Sequence, residues 1–206
     1  IDLDARSNQP FTIDDCTLVY NGEIYNYLEL RKELETKGIA FKTSSDTEVL
    51  LRSYLLYGEK CVEKFEGMWA FALYDRRTQS LFLSRDRFAE KPLYTLETRD
   101  GFYFASEVKF LKALSGQSLT VNEDQLLRYY VNGYKSLYKT DEGFFKEVRE
   151  LPYAANATVG AELKPRVTRY WTPKYAPRAS MSLDEAIEGV RHHFLESVKI
   201  RLRADV

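Results

Sequence analysis

Two hairpin signals in close succession constrain this chain more than any other feature. Met68 to Asp75 and Leu81 to Arg85 flank the polar turn Arg76-Arg77-Thr78-Gln79. Leu93 to Glu97 and Phe102 to Ala105 flank Thr98-Arg99-Asp100-Gly101. Each pair is a β-prone run bounded by turn residues, and Asp-Gly supplies the positive φ that a tight turn needs. Two helical patterns precede them, so the order predicts an antiparallel sheet in an α+β fold rather than repeating βαβ units.

The first of those helices is expected from Asn26 to Lys37. Asn26 sits as its cap, Glu29 where a capping box wants it, Tyr27, Leu30 and Leu34 form its stripe, and Gly38 stops it. Ser45 or Asp46 caps the second, with Glu48 three residues after Ser45; Val49, Leu50, Tyr54 and Tyr57 face inward and Gly58 closes it. Strands are expected at Cys16–Tyr20 and Phe41–Ser44, after a polar loop from Ile1 to Phe11. Beyond the hairpins, Glu107–Leu114 and Glu123–Val131 read as helices, the second capped by Asn122 and ended by Gly133. Short strands follow at Ala157–Val159 and Val167–Trp171, the second able to pair with the first.

Thr172 to Ser180 holds Pro173 and Pro177 among polar residues and reads as a linker. Ser182 and Glu185 then form a capping box for a helix whose stripe is Leu183, Ile187, Val190, Phe194, Val198 and Leu202. Such a stripe must be buried, which makes this helix the first element of a second domain. At 206 residues, 44% of them hydrophobic and 30% charged, the chain suits one large domain or one and a half. A net charge of −1 points to neither nucleic acid nor an anionic membrane. No apolar run has the length of a membrane span, and no signal pattern opens the sequence. Two cysteines make no disulfide framework, so a cytoplasmic setting is expected. Ile1 rather than Met begins the sequence, which suggests a processed or partial chain.

Few residues here suit chemistry. Cys16 begins an apolar strand and Cys61 has no nearby base, so both read as structural thiols. His192 and His193 are adjacent on one helix and lack the i, i+4 spacing of a metal pair; no metal is expected. Asp75, Asp86, Glu90 and Glu107 read as solvated or salt-bridged surface. Asn21-Gly22 interrupts the run Leu18-Val19-Tyr20 abruptly. It is either an ordinary turn or a kinked strand end that presents a side-chain amide and a backbone N–H to an oxyanion. Asp46, at a helix N-terminus straight after a strand, is either a plain N-cap or a carboxylate that pairs with a substrate ammonium.

Six stretches run in an order and spacing similar to the glutamine-hydrolysing asparagine synthetases: Tyr20-Asn21-Gly22-Glu23-Ile24-Tyr25-Asn26, Ser45-Asp46-Thr47-Glu48, Gly67 to Asp75, Arg85-Asp86-Arg87-Phe88, Lys91-Pro92-Leu93-Tyr94 and Ala105-Ser106-Glu107-Val108-Lys109. Residues 1–171 resemble most of that family's N-terminal domain, a class II glutamine amidotransferase with an αββα sandwich of the N-terminal-nucleophile hydrolase type. By this resemblance 172–181 is a linker, and 182–206 is the first helix of an otherwise absent synthetase domain of the ATP-pyrophosphatase kind. The resemblance implies that Asn21 and the Gly22 N–H form an oxyanion hole. Glu23 and Asp46 would hold the α-amino group of glutamine and its surroundings. Ile1 would match the last position of the family's Arg-Leu-Ser-Ile-Ile/Val substrate stretch.

The departures are equally definite. The family's nucleophile, an N-terminal cysteine whose own α-amine is the base, belongs several dozen residues before Ile1, and its carboxylate-clamping arginine just before it. The 206 residues alone are therefore expected not to hydrolyse glutamine. Ala89 stands where the family usually has Gly. The function implied is ammonia supply for ATP-dependent amidation of aspartate or a related carboxylate. The alternative is a catalytically degenerate scaffold domain. No cofactor is expected in this domain; ATP and Mg²⁺ belong to the synthetase domain. The partners implied are glutamine and the C-terminal synthetase domain that receives the ammonia, with a homodimer left open.

Overall fold

The computed structural model describes residues 4–140 and 142–203, with the side chains of 138 and 139 left aside. In chain order its elements are β1 (Phe11–Ile13), β2 (Cys16–Ile24), α1 (Tyr27–Thr36), α2 (Asp46–Tyr57), β3 (Gly67–Asp75), β4 (Ser80–Arg85), β5 (Tyr94–Glu97) and β6 (Phe102–Ala105). They continue with α3 (Val108–Ser115), α4 (Glu123–Asn132), β7 (Val148–Glu150), β8 (Ala155–Val159), β9 (Pro165–Arg169) and α5 (Leu183–Arg201). Two units result, one made of 4–8, 23–67 and 171–203, the other of 9–22 and 68–170.

The second unit carries the sheets. Six strands run in the order β1-β2-β3-β4-β8-β9, and three in the order β6-β5-β7. Both expected hairpins are present: β3 pairs with β4 from Ala70–Arg85 to Asp75–Ser80, and β5 with β6 from Tyr94–Ala105 to Glu97–Phe102. The predicted pairing of the last strands also holds, with Ala157 opposite Val167 in β8 and β9. Alternation sends Ala70, Ala72, Leu83, Ala155, Ala157 and Val159 into one apolar cluster with Leu93 and Leu151. Phe102 and Phe104 of β6 pack on the same cluster, so the two sheets face each other across it. The intervening positions bury Trp69, Phe71, Leu73 and Phe82, each contributing about 1.5–3 kcal/mol of burial. Trp69 keeps its indole N–H satisfied by donating to Ser84 Oγ at 3.0 Å. Asn122 caps α4 by accepting from the Gln125 N–H.

The first unit is helical. Leu30 and Leu34 of α1 and Val49, Leu50, Leu51 and Tyr54 of α2 are buried, together with Cys61, Val62 and Phe65. Ser182 and Glu185 make both halves of the expected capping box at the start of α5. No described residue of α5 is buried, so its stripe from Leu183 to Val198 stays exposed. Residues 170–182 carry no helix or strand.

Several expectations fail for physical reasons. Of the two readings of Asn21-Gly22 the ordinary turn does not hold, since β2 runs through both residues to Ile24 with Gly22 at φ +153°. Phe41–Ser44 is not a strand, since Glu48 rather than a neighbouring strand takes the Lys42 and Thr43 N–H groups at 3.0 and 2.7 Å. Asn26 makes no side-chain cap; its amide is spent on Lys64 O and Glu66 N, both at 2.9 Å. Asp75 and Asp86 are buried rather than surface residues, each supplied with N–H donors. The strands β1 and β7, at three residues each, show too little alternation to read from the sequence.

Candidate functional site

The last residues of β2 are fixed by close backbone approach. A Cβ on Gly22 would come 2.1 Å from Met68 O and 2.7 Å from Trp69 Cα. Only glycine fits there, and its φ of +153° suits no other residue. Asn21, just before it, is exposed and donates from Nδ2 to Ser106 Oγ at a long 3.4 Å. The amide is thus oriented yet not consumed. Side-chain amides and backbone N–H groups are the donor types that stabilise an oxyanion.

Two residues further on, Ile24 donates its N–H to Asp46 Oδ2 at 3.0 Å. The expectation that either Ser45 or Asp46 caps α2 resolves in favour of Ser45, whose Oγ accepts from Thr47 N at 3.1 Å. Asp46 is the first helical residue, 3% exposed, and Ser45 Oγ lies 3.5 Å from its Oδ1. Cap duty therefore does not account for this carboxylate. It lies at the positive end of α2 with one oxygen tied to the Ile24 N–H, and Glu23, the residue before Ile24, is buried as well. Glu48 steadies the approach to α2, taking Lys42 N, Thr43 N and Thr43 Oγ1 and pairing with Arg52 at 3.4 Å.

The segment before β3 locks the same strand end. Tyr25 donates its N–H to Glu66 O at 2.7 Å, and a Cβ on Gly67 would lie 2.0 Å from Glu23 O.

Within the sheet unit, Arg85 and Asp86 do work that the sequence did not reveal. Asp86 accepts four backbone N–H groups, from Trp69 (3.2 Å), Phe88 (2.9 Å), Glu90 (3.0 Å) and Lys91 (3.0 Å). Arg85 donates to Lys91 O, Leu151 O and Ala89 O and pairs with Glu150 at 2.8 Å. The carbonyl of Arg85 accepts from the Tyr170 hydroxyl. Together they shape the loop 86–91 after β4. The one available signal was an Arg-Asp pair at a strand end followed by Pro92.

Neither thiol is prepared for attack. Burial pushes the Cys16 thiol up to about 11, and burial raises that of Cys61 further still. His192 and His193 lie on α5, and the described residues contain no cluster of His, Cys, Asp and Glu able to hold a metal. Ile1 lies outside the described residues. No helix among them is long and apolar enough to cross a membrane.

Residues 1–171 match the family model described as a glutamine amidotransferase domain. Glutamine-hydrolysing asparagine synthetase 1 of Bacillus subtilis is 34% identical over 203 residues, which take in 98% of this chain and 31% of that protein. Putative asparagine synthetase 2 of Methanocaldococcus jannaschii is 36% identical over 231 residues, with 100% of this chain and 42% of that protein covered. The chain thus spans well under half the length of these relatives. Among solved structures, the glutamine PRPP amidotransferase of B. subtilis aligns over 80% of this chain and 32% of its own, with TM-score 0.55 and 21% identity. At that identity the likeness concerns the fold alone.

Proposed function

Given that the chain belongs to the glutamine amidotransferase domain family, we propose that it serves as the glutamine-hydrolysing part of an asparagine synthetase-like enzyme. Its α+β fold is that of the N-terminal-nucleophile amidotransferases. The observation that carries the reading is the strand end: β2 presents Asn21, Gly22 and Glu23 in succession, and the next N–H secures Asp46.

In this reading the Asn21 amide and the Gly22 N–H stabilise the oxyanion that forms when a thiolate adds to the glutamine side-chain carbonyl. Collapse of that intermediate breaks the C–N bond as the proton the thiol gave up passes to the leaving nitrogen, which releases ammonia and leaves a thioester. Water then adds to the thioester through the same oxyanion and frees glutamate and the thiol. Asp46 and Glu23 hold the ammonium of glutamine and its neighbouring groups, Asp46 by charge pairing. By the family resemblance the nucleophile is an N-terminal cysteine of the mature protein, and the burial and raised thiol pKa of Cys16 and Cys61 suit neither of them to that role. Ammonia then passes to a C-terminal synthetase domain that activates aspartate or a related carboxylate with ATP and Mg²⁺. Residues 1–171 form the amidotransferase domain, 172–181 its linker and 182–206 the entry to the synthetase domain.

A diazoketone analogue of glutamine, applied to the intact protein and followed by peptide mass mapping, tests this assignment. Alkylation of an upstream cysteine, blocked by excess glutamine, is expected. Modification of Cys16 or Cys61, or of no cysteine at all, would overturn it.

A further inference from the structure

The end of α5 and the residues just past it reach the segment between β2 and α1. Arg203 Nη1 donates to the Tyr25 carbonyl at 3.1 Å and to Glu29 Oε2 at 2.7 Å. The Arg201 guanidinium lies 5.0 Å from the centre of the Tyr25 ring. Tyr25 is buried, and its N–H is already engaged with Glu66 O. The two peptide groups that flank its Cα are therefore held from different sides, the N–H by the segment before β3 and the carbonyl by Arg203 just past α5. Tyr25 follows directly on Ile24, whose N–H secures Asp46, and stands two residues from Glu23.

An exposed ion pair between Arg203 and Glu29 would by itself contribute little. The bond to the Tyr25 carbonyl is different in kind, because it acts on the main chain that sets Glu23 and Ile24. Arg203 is the more shielded partner, at 27% side-chain exposure against 57% for Glu29. No residue of α5 itself is buried, so the Arg201–Arg203 grip is a hold that a shift of the helix would loosen.

We propose that Arg203, assisted by Arg201, is a positioning residue for the glutamine site. By gripping Tyr25 it makes glutamine affinity depend on where the end of α5 lies. This rests on the assignment of Glu23 and Asp46 to the glutamine ammonium. In an intact synthetase the helix that follows the linker would thereby report its position to the glutaminase.

Glutamine hydrolysis by the intact protein tests the inference, with Arg203→Ala, Arg203→Lys, Glu29→Gln and Asp46→Asn measured side by side. Arg203→Ala is expected to raise the KM for glutamine roughly threefold to tenfold, the scale of one lost hydrogen bond, with kcat within about twofold. Arg203→Lys should recover part of the loss. Glu29→Gln, at a half-exposed position that does not threaten the fold, should raise KM in the same direction by less. A melting temperature that falls while KM stays at the wild-type value, in both Arg203→Ala and Glu29→Gln, would overturn the inference. If Asp46→Asn weakens glutamine and the Arg203 and Glu29 variants do not, the inference alone fails. If Asp46→Asn leaves KM unchanged, the site assignment fails and takes the inference with it.

Discussion

Gly22 lies so close to Met68 that a Cβ at position 22 would come 2.1 Å from the Met68 carbonyl oxygen. Relief requires β2 or β3 to move, and both are interior strands of the six-stranded sheet. Gly22→Ala is therefore expected to destabilise the protein by about 3 kcal/mol or more, read as a lower urea midpoint. A midpoint unchanged from wild type would show that the strands yield freely there.

Ala89 offers the opposite case. It adopts φ +56° in the loop that Asp86 organises, a left-handed conformation that costs a Cβ-bearing residue about 1–2 kcal/mol. Glycine relieves that cost but loses more entropy on folding, so Ala89→Gly should stabilise by roughly 0.5 kcal/mol net. Thermal unfolding should register this as a rise of about 1–2 °C.

Asp86 accepts four backbone N–H groups while fully buried. Asp86→Ala would leave those donors without partners in a shielded loop. The expected loss is about 3–5 kcal/mol, seen in the denaturation midpoint. Because Trp69 N is one of the four donors and Trp69 adjoins Gly22, Asp86→Ala should also weaken glutamine hydrolysis.

The Cys16 thiol has its pKa raised from 9.0 to about 11, chiefly by burial, with the Asp75 charge adding to it. A folded-state pKa above the unfolded one means a stabilising contribution that is complete below pH 9 and lost as pH rises through about 11. Alkaline unfolding should therefore begin in that window, and Cys16→Ser should make it shallower. At pH 8 an aromatic disulfide reagent should leave both Cys16 and Cys61 unmodified until denaturant is added.

Much of the fold was legible because its signals are local. The two hairpins, the Asn122 cap and the Ser182–Glu185 box each lie within a few residues, where spacing and residue type settle the outcome. Features set by distant partners were not legible. Asn21-Gly22 reads locally as a turn, and only the approach of Met68 from β3 explains why the strand passes through it. Asp86 looks like a surface charge until the loop 86–91 folds around its carboxylate. Asp46 illustrates both limits: its sequence position allowed a cap or a substrate contact equally. In the fold Ser45 takes the cap and Ile24, 22 residues away, takes one carboxylate oxygen, neither of which the local sequence shows. Tyr25's link to Arg203, across 178 residues, left no trace in the sequence.

Steady-state glutamine hydrolysis by the intact protein, with Asn21→Ala compared to wild type, tests the assignment of the β2 end most directly. Loss of one oxyanion donor should lower kcat by about 10²–10³-fold while KM changes only slightly, since Asn21 acts on the transition state and not on the glutamine ammonium. A variant that keeps the wild-type kcat would contradict the assignment.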